Sequence, residues 1–211
     1  MCRLLYIRSE TPFDIKEHLD VFAEISRNSS EYQGHGWGCA WKRDDKWAFH
    51  HDIKPVWEDD RSGYGKTTLL LAHARSAFRD EGIRVENNMP FFDGRYVFIF
   101  NGELQGVRIR EEGRIGAEKI FNYIKRFDNG GMIDAIERGV NVIEKRTRYV
   151  RAMNFVIADL DHGYIASFYG ENPDYFQLHH KRNEHIDLIC SSPYPGERGW
   201  RTIDNRTILT L

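Results

Sequence analysis

Cysteine is scarce in this chain of 211 residues. The three cysteines are Cys2, Cys39 and Cys190, and no two of them form a Cys-x-x-Cys pair. An odd number of scattered cysteines argues against a disulfide framework, and the missing pair argues against a thiolate zinc site. A reducing, cytoplasmic setting is therefore expected.

Long hydrophobic runs and an excess of one charge are also lacking. The apolar stretch at residues 4–7 is too short for a signal-peptide core, and no segment approaches the roughly 20 apolar residues of a membrane span. The 30 basic and 32 acidic residues leave a formal net charge of -2, so neither nucleic acid nor a membrane is a predicted partner. Without repeats or a change in composition, we expect one soluble domain over residues 1–211.

Hydrophobic periodicity predicts strands towards both ends of the chain and helices in the middle. A first helix is expected to start at Thr11, with Pro12 at its first helical position, and to end at residues 28–30. Apolar stripes at 120–127 and 133–143 indicate two more helices. Strands are predicted at 2–8, 37–42, 46–51, 68–76, 95–100, 153–160, 164–169, 175–180, 186–191 and 207–211. This order indicates an α+β domain in which helices cover sheets.

Cys2 is a candidate nucleophile because it directly follows the initiator methionine. Removal of Met1 would leave a thiol and a free α-amine on one residue. A thiol with a pKa of about 8.5 is mostly protonated at neutral pH, whereas an α-amine titrates at about 7.7–8.0 and can exchange a proton with it. From this position alone, an ordinary residue at a frayed terminus is an equally good interpretation.

Two polar features stand next to or within apolar strands. Asn101-Gly102 follows the strand predicted to end at residue 100. The pair is typical of a turn, but an Asn amide and a Gly N–H can also donate to one oxyanion. Arg75 lies in an apolar strand, where it is expected either to pair with an acidic side chain or to bind a substrate carboxylate.

Histidines and a glycine-rich segment give weaker signals. The adjacent pairs at 50–51 and 179–180 point to opposite faces of a strand, and His73 is expected to be a hydrogen-bonded core residue, so no metal is predicted. The segment Gly-Tyr-Gly-Lys-Thr at 63–67 lacks the first glycine of a phosphate-binding loop. We interpret it as a turn that leads into a strand.

Seven short segments occur together, in order, in one known family. They are Met-Cys-Arg-Leu at 1–4, Gly-Trp-Gly at 36–38, His-Ala-Arg-Ser-Ala at 73–77, Asn-Met-Pro-Phe at 88–91, Phe-Asn-Gly-Glu-Leu at 100–104, Ser-Ser-Pro at 191–193 and Trp-Arg-Thr-Ile at 200–203. The chain thereby resembles class II glutamine amidotransferase domains, which are N-terminal-nucleophile (Ntn) hydrolases. The resemblance covers nearly the whole chain, is greatest to short, free-standing members, and implies a four-layer αββα sandwich.

The resemblance also implies roles for particular residues. Cys2 is similar to the nucleophile that attacks a side-chain carboxamide, with its own α-amine as general base and later acid. Asn101 and Gly102 resemble the oxyanion donors. The implied substrate-binding residues are Arg75, Ser76, Trp37 and Gly38. Among these, Arg75 would bind the α-carboxylate of glutamine.

The implied reaction passes through a γ-glutamyl thioester and releases ammonia and glutamate without a cofactor. Its implied partners are a small-molecule substrate, glutamine or another γ-glutamyl amide, and a separate synthase that accepts the ammonia. A homo-oligomer is compatible with this pattern.

Two positions depart from the family pattern. Phe78 stands where the family usually has Thr, and Gly116 stands where it has an acid that binds the substrate α-ammonium. Glu111, Glu112 or Glu118 are candidates to replace that acid. The departures leave two further hypotheses open: a different γ-glutamyl amide as substrate, or an inactive binding or regulatory protein that keeps Met1.

Overall fold

The computed structural model describes residues 1–211. In chain order its elements are β1 (Arg3–Asp14), α1 (Ile15–Arg27), β2 (Trp37–Arg43), β3 (Lys46–Asp52), β4 (Lys66–Ala74), β5 (Phe91–Phe92), β6 (Val97–Val107), α2 (Gly116–Lys125), α3 (Met132–Lys145), β7 (Thr147–Ala158), β8 (Gly163–Ser167), α4 (Pro173–Phe176), β9 (His179–Arg182), β10 (Ile186–Cys190), β11 (Arg201–Thr202) and β12 (Thr207–Thr210). No helix combines the length and the apolarity that a membrane crossing requires.

The strands form two antiparallel sheets that pack face to face. The first has the order β11-β9-β10-β1-β4-β2-β3 and the second the order β12-β8-β7-β6-β5. Helix α1 packs on the outer face of the first sheet, and the pair α2 and α3 packs on the outer face of the second. This is the predicted four-layer αββα arrangement, so the fold-class prediction is confirmed.

Strand β1 shows how the layers arise from the sequence. Leu4 and Tyr6 belong to the cluster between the sheets, whereas Leu5 and Ile7 belong to the cluster under α1. All four side chains are fully buried, because successive side chains of a strand point to opposite faces and both faces are covered here. The continuous apolar run therefore fits a strand at the centre of a covered sheet.

The predicted start of the first helix is wrong. Residues 11–14 extend β1: Phe13 pairs with Thr67 and Asp14 with Lys66 beyond an irregularity in the register. The helix begins only at Ile15, and the Asp14 carboxylate caps it by accepting from the Lys16 N–H at 2.8 Å. Pairing with a distant strand outweighs the local helix-start pattern at Thr11.

The turn interpretation of Asn101-Gly102 is also wrong. Strand β6 continues through both residues to Val107, with Asn101 opposite Asn154 and Gly102 opposite Met153 on β7. A Cβ on Gly102 would collide with the Ala152 carbonyl oxygen. The glycine therefore permits a close approach of two strands rather than a reversal of the chain.

Residues 175–180 do not form the one strand that the sequence pattern predicts. Pro173–Phe176 form the short helix α4, and the strand β9 begins only at His179. Asn172, in the left-handed region with φ of 48°, and the following proline start a helical turn in place of an extended chain.

Candidate active site

Cys2 lies where the start of β1 meets the end of β4. Arg3 pairs with Ala74, and this register brings the Cys2 Sγ to the backbone of Ser76. The Ser76 N–H donates to Sγ at 3.4 Å, and the Ser76 carbonyl oxygen lies 3.7 Å from it. Burial raises the pKa of the Cys2 thiol, while the Met1 α-ammonium, the Ser76 N–H and Arg75 oppose that shift. The thiol therefore needs a local base to ionise at neutral pH.

Arg75 is a buried cation beside that thiol. Only 5% of the residue is exposed. Its Nη1 donates to the Gly82 carbonyl oxygen at 2.9 Å and to Asn88 Oδ1 at 3.3 Å. Neither group is a carboxylate. The structure therefore does not support the interpretation that Arg75 pairs with an acidic side chain. A buried guanidinium without a counter-ion is unfavourable in an empty site and favours an anionic ligand.

Asn101 faces the first sheet from β6. Phe98 stacks on Phe121 of α2 with ring centroids 4.8 Å apart, so the alternate side chains, including that of Asn101, point towards the first sheet. Asn101 is fully buried, and neither its Nδ2 nor its Oδ1 has a hydrogen-bond partner. Buried amides are normally satisfied, which makes this side chain available for a ligand.

His73 joins the two sheets next to Asn101. Its Nε2 lies 3.0 Å from the Phe100 carbonyl oxygen. Burial lowers the pKa of His73 to about 3, so the ring is neutral and Nε2 carries the proton that it donates to Phe100. His73 is therefore a buried, hydrogen-bonded core residue, as expected from the sequence.

The Trp37 indole is not on the Cys2 side of the first sheet. Trp37 and Arg3 both lie opposite Ala74 and so share a face, and the indole packs in the cluster under α1. Its Nε1 donates to Asp59 Oδ2 at 2.9 Å. The predicted role of Trp37 in the substrate wall therefore stays a prediction that this placement does not support.

Gly38 is tightly enclosed between neighbouring chain segments. A Cβ there would come within 2.6 Å of the Met89 carbonyl oxygen and within 2.6 Å of the His51 ring. Only glycine fits at this position without a shift of its neighbours. Whether Gly38 contacts substrate stays a prediction.

One group of side chains has ligand atoms close enough to hold a cation. His50, Asp52 and Asp59 bring one ligand atom each within 4.8 Å of one another. However, Asp59 Oδ2 already accepts from the Trp37 indole and lies 2.8 Å from His50 Nε2. His50 and Asp59 thus satisfy each other without an ion, and Asp52 Oδ1 accepts from the Lys54 N–H at 2.9 Å, so the arrangement gives no reason to revise the prediction of no metal.

Sequence reasoning missed a polar cradle around Met1, which we define as Glu31, Gln33 and Tyr175. The Met1 α-amine contacts the Glu31 carboxylate, and the Met1 carbonyl oxygen accepts from Gln33 Nε2 and, at 2.7 Å, from Tyr175 Oη. No motif marks these residues, because 142 positions separate Gln33 from Tyr175.

A loop contact borders the site on another side. The Ala77 N–H donates to His35 Nδ1 at 2.9 Å, and His35 Nε2 lies 3.4 Å from Asp80 Oδ1. Burial lowers the pKa of His35, with Asp80 opposing and Arg75 reinforcing that shift. A neutral His35 thus ties the loop after Ser76 to the loop before β2.

The two departures from the family pattern lie in open surroundings. Phe78 is 59% exposed, and a Cβ on Gly116 would meet nothing within 4 Å. Glu118 is bound by Arg114 through both carboxylate oxygens, and Glu111 lies 3.5 Å from Arg126. Two of the candidate replacement acids are therefore already paired with arginines.

Comparison with known proteins agrees with this fold. No protein-family model matches the chain, and no curated protein matches it. Among solved structures, a glutamine aminotransferase class-II domain protein from Silicibacter pomeroyi aligns with a TM-score of 0.65 and 15% identity, over 99% of this chain and 94% of that one.

Two further solved structures extend the comparison. A "predicted glutamine amidotransferase" from Pseudomonas aeruginosa aligns with a TM-score of 0.63 and 14% identity, over 99% of this chain and 96% of that one. Glutamine phosphoribosylpyrophosphate amidotransferase from B. subtilis aligns with a TM-score of 0.63 and 15% identity, over 90% of this chain and 42% of that one. The chain therefore has the fold of class II glutamine amidotransferase domains.

Proposed function

We propose that this protein hydrolyses the side-chain amide of glutamine, with Cys2 as the nucleophile. The observation that carries the proposal is the pairing of a thiol, held by the Ser76 N–H at 3.4 Å, with Arg75, a neighbouring buried guanidinium that has no carboxylate partner. An α-carboxylate would balance that charge and bring the side-chain amide of the same molecule towards Sγ.

The chemistry requires that the bond between Met1 and Cys2 be cut. The freed α-amine takes the thiol proton, and Sγ attacks the amide carbon. The oxygen of the tetrahedral intermediate accepts from Asn101 Nδ2, a buried donor without a partner, and the resemblance adds Gly102 as second donor. The α-ammonium then gives its proton to the departing ammonia, and water hydrolyses the γ-glutamyl thioester to glutamate.

A diazo-ketone analogue of glutamine tests this proposal. The full chain is produced with Cys2 as its first residue, by cleavage of an N-terminal fusion, and its intact mass is measured after incubation. We expect one adduct, mapped to Cys2, and none on Cys2→Ala. Cys39 and Cys190 are buried and serve as internal controls. A folded chain with a free Cys2 that gains no adduct would count decisively against glutamine.

A second candidate function is hydrolysis of a different γ-glutamyl amide. It is favoured by Gly116, which has no acidic side chain, and by the pairing of Glu118 with Arg114 and of Glu111 with Arg126, which occupies two of the three candidate replacement acids. Glutamine should be compared with its analogue lacking the α-amine and with N-substituted γ-glutamyl amides. Preference for glutamine over the desamino analogue by 100-fold or more would exclude this candidate.

We propose that the released ammonia passes to a separate synthase. The inactive alternative requires that Met1 stay attached, because an amide nitrogen cannot serve as the base. N-terminal sequencing of protein from its native cells decides this, since an exposed Cys2 removes the main support for an inactive protein.

A further inference from the structure

We infer that Gln33 is a positioning residue that receives the α-amine of Cys2 once the bond to Met1 is cut. The inference rests on the proposed function only because that function gives the α-amine its role as a base. Its own basis is the hydrogen-bonding state of the Gln33 amide and the way the cradle is anchored.

The Gln33 amide nitrogen is surrounded by more acceptors than it has hydrogens, whereas the amide oxygen has no donor. The residue is fully buried. Its Nε2 carries two hydrogens but lies within hydrogen-bond reach of four acceptors, which are the carbonyl oxygens of Met1 and Glu31, Ser29 Oγ and Tyr175 Oη. Its Oε1 is buried and has no partner. Each hydrogen of a primary α-amine on Cys2 would be a donor of the kind that Oε1 lacks.

The position of this amide is fixed relative to the nucleophile. The Met1 carbonyl group that Gln33 contacts is bonded directly to the Cys2 nitrogen, so this amide lies one peptide group from the future α-amine. An Asn or Gln amide can also rotate by 180° and exchange its oxygen and nitrogen with little change of shape. Rotation of the Gln33 amide would therefore turn its acceptor, Oε1, towards the position beside the Met1 carbonyl group that Nε2 now occupies.

Tyr175 lies in a segment that is held to β7, the strand paired with the one that carries Asn101. The Arg3 guanidinium lies 4.1 Å from the centre of the Tyr175 ring. The next residue, Phe176, offers its carbonyl oxygen to Asn154 Nδ2 at 2.6 Å, and Asn154 lies opposite Asn101. The acceptor for the amine and the donor for the oxyanion are thus held by one connected framework.

Charged and titratable groups from several segments face this amine. Glu31 and His35 come from the loop before β2, Arg75 directly follows β4, and Arg151 belongs to β7 and binds Glu31 at 3.1 Å. Gln33 carries no charge, so its proposed role is to orient the amine and to favour its ammonium form modestly through one hydrogen bond. Its replacement should therefore shift an existing titration rather than abolish it.

The test compares Gln33→Leu with Gln33→Glu in the full chain starting at Cys2. Alkylation of Cys2 by iodoacetamide is followed from pH 5 to 9 by peptide mass, and the kcat and KM of amide hydrolysis are measured over the same range. For Gln33→Leu we expect the amine titration to move down by about 0.5–1 pH unit and kcat to fall about tenfold or more, with KM within about twofold. For Gln33→Glu, which keeps an acceptor, we expect an upward shift and recovery of most of kcat.

Gln177→Leu, the same change in a partly exposed side chain, is the matched control. It should alter neither the amine titration nor the kinetics. Tyr175→Phe should shift the amine titration in the same direction as Gln33→Leu, with Tyr123→Phe as its control. It provides a second test if Gln33→Leu folds poorly. If Gln33→Leu raised KM and left the amine titration unchanged, Gln33 would be a substrate contact and the inference would be overturned. An unchanged titration with unchanged kinetics would also overturn it. Iodoacetamide needs no amide substrate, so a shifted titration in a protein without glutaminase activity would uphold the inference while contradicting the proposed function.

Discussion

His73 donates a hydrogen bond to the carbonyl oxygen of Phe100 at 3.0 Å and so links the two sheets one residue before Asn101. The ring is fully buried, and burial lowers its pKa to about 3 from an ordinary 6.5. The unfolded chain therefore binds a proton between pH 6.5 and 3 that the folded chain excludes. Stability from this group is complete above pH 6.5 and is lost as the pH falls through that range.

His73→Gln keeps a donor for Phe100 but cannot titrate. We expect the unfolding free energy of the wild type to fall more steeply than that of the variant between pH 6.5 and 3, by about 1.4 kcal/mol for each pH unit. Urea unfolding at several pH values measures both slopes. His162→Gln, at a half-exposed position, is the control; equal slopes for wild type and His73→Gln would contradict the buried neutral ring.

Arg75→Met should separate activity from stability. The substitution removes a buried charge that has no carboxylate partner, so the unfolding free energy should stay within about 1 kcal/mol of the wild type or rise. The kcat/KM for glutamine should fall about 10- to 100-fold, because a charged contact to the α-carboxylate is lost. Arg79→Met, at an exposed neighbouring site, should leave both quantities unchanged. A large loss of stability in Arg75→Met would show that the guanidinium has a mainly structural role.

Asn101 and Asn154 lie opposite one another but should respond differently to alanine. Asn101 has no hydrogen bond to lose, so Asn101→Ala should change stability by no more than about 1 kcal/mol while lowering kcat about 10²- to 10³-fold.

Asn154, in contrast, donates to the Phe176 carbonyl oxygen at 2.6 Å and accepts from the Phe168 N–H at 2.8 Å. Asn154→Ala should therefore cost about 2–4 kcal/mol of stability. Chemical denaturation and steady-state kinetics on both variants make the comparison. Loss of stability in Asn101→Ala with full kcat would remove Asn101 from the oxyanion site.

Gly116→Asp tests the departure at the ammonium site. A side chain has free space there, since a Cβ would meet nothing within 4 Å. If this position faces the substrate α-ammonium, the aspartate should improve kcat/KM for glutamine about tenfold without changing that for the desamino analogue. Gly116→Asn provides the uncharged control. Equal effects of Asp and Asn, or none, would indicate that the substrate amino group is bound elsewhere.

The apolar runs of the sequence predict much of the fold because both sheets are covered on each face. The strand that begins beside Cys2 and the two strands between Trp37 and Asp52 follow from local pattern. The boundaries that fail depend on distant partners: Phe13 and Asp14 extend β1 because they pair with Thr67 and Lys66. No local signal at residues 11–14 contains that information.

Some residues of the candidate site can be predicted from local sequence, and others only from the fold. Cys2, Arg75 and Asn101 are found from motifs, because each falls in a short recognisable segment. Gln33 and Tyr175 are not, because their importance comes from meeting at one carbonyl group across a separation of 142 positions. An isolated polar residue in a loop is usually exposed, and only the fold shows that Gln33 is fully buried.

The place of β1 in the first sheet has a consequence for the order of folding. β1 lies between β4 and β10, and its partner residues on β10 are 186–190. During synthesis, the strand next to Cys2 remains open on one edge until nearly the whole chain has left the ribosome. Contacts of such long sequence separation form slowly. We therefore expect the surroundings of the nucleophile to be completed among the last steps of folding, so that a chain stopped before residue 186 would contain the Cys2, Arg75 and Asn101 segments without a finished site.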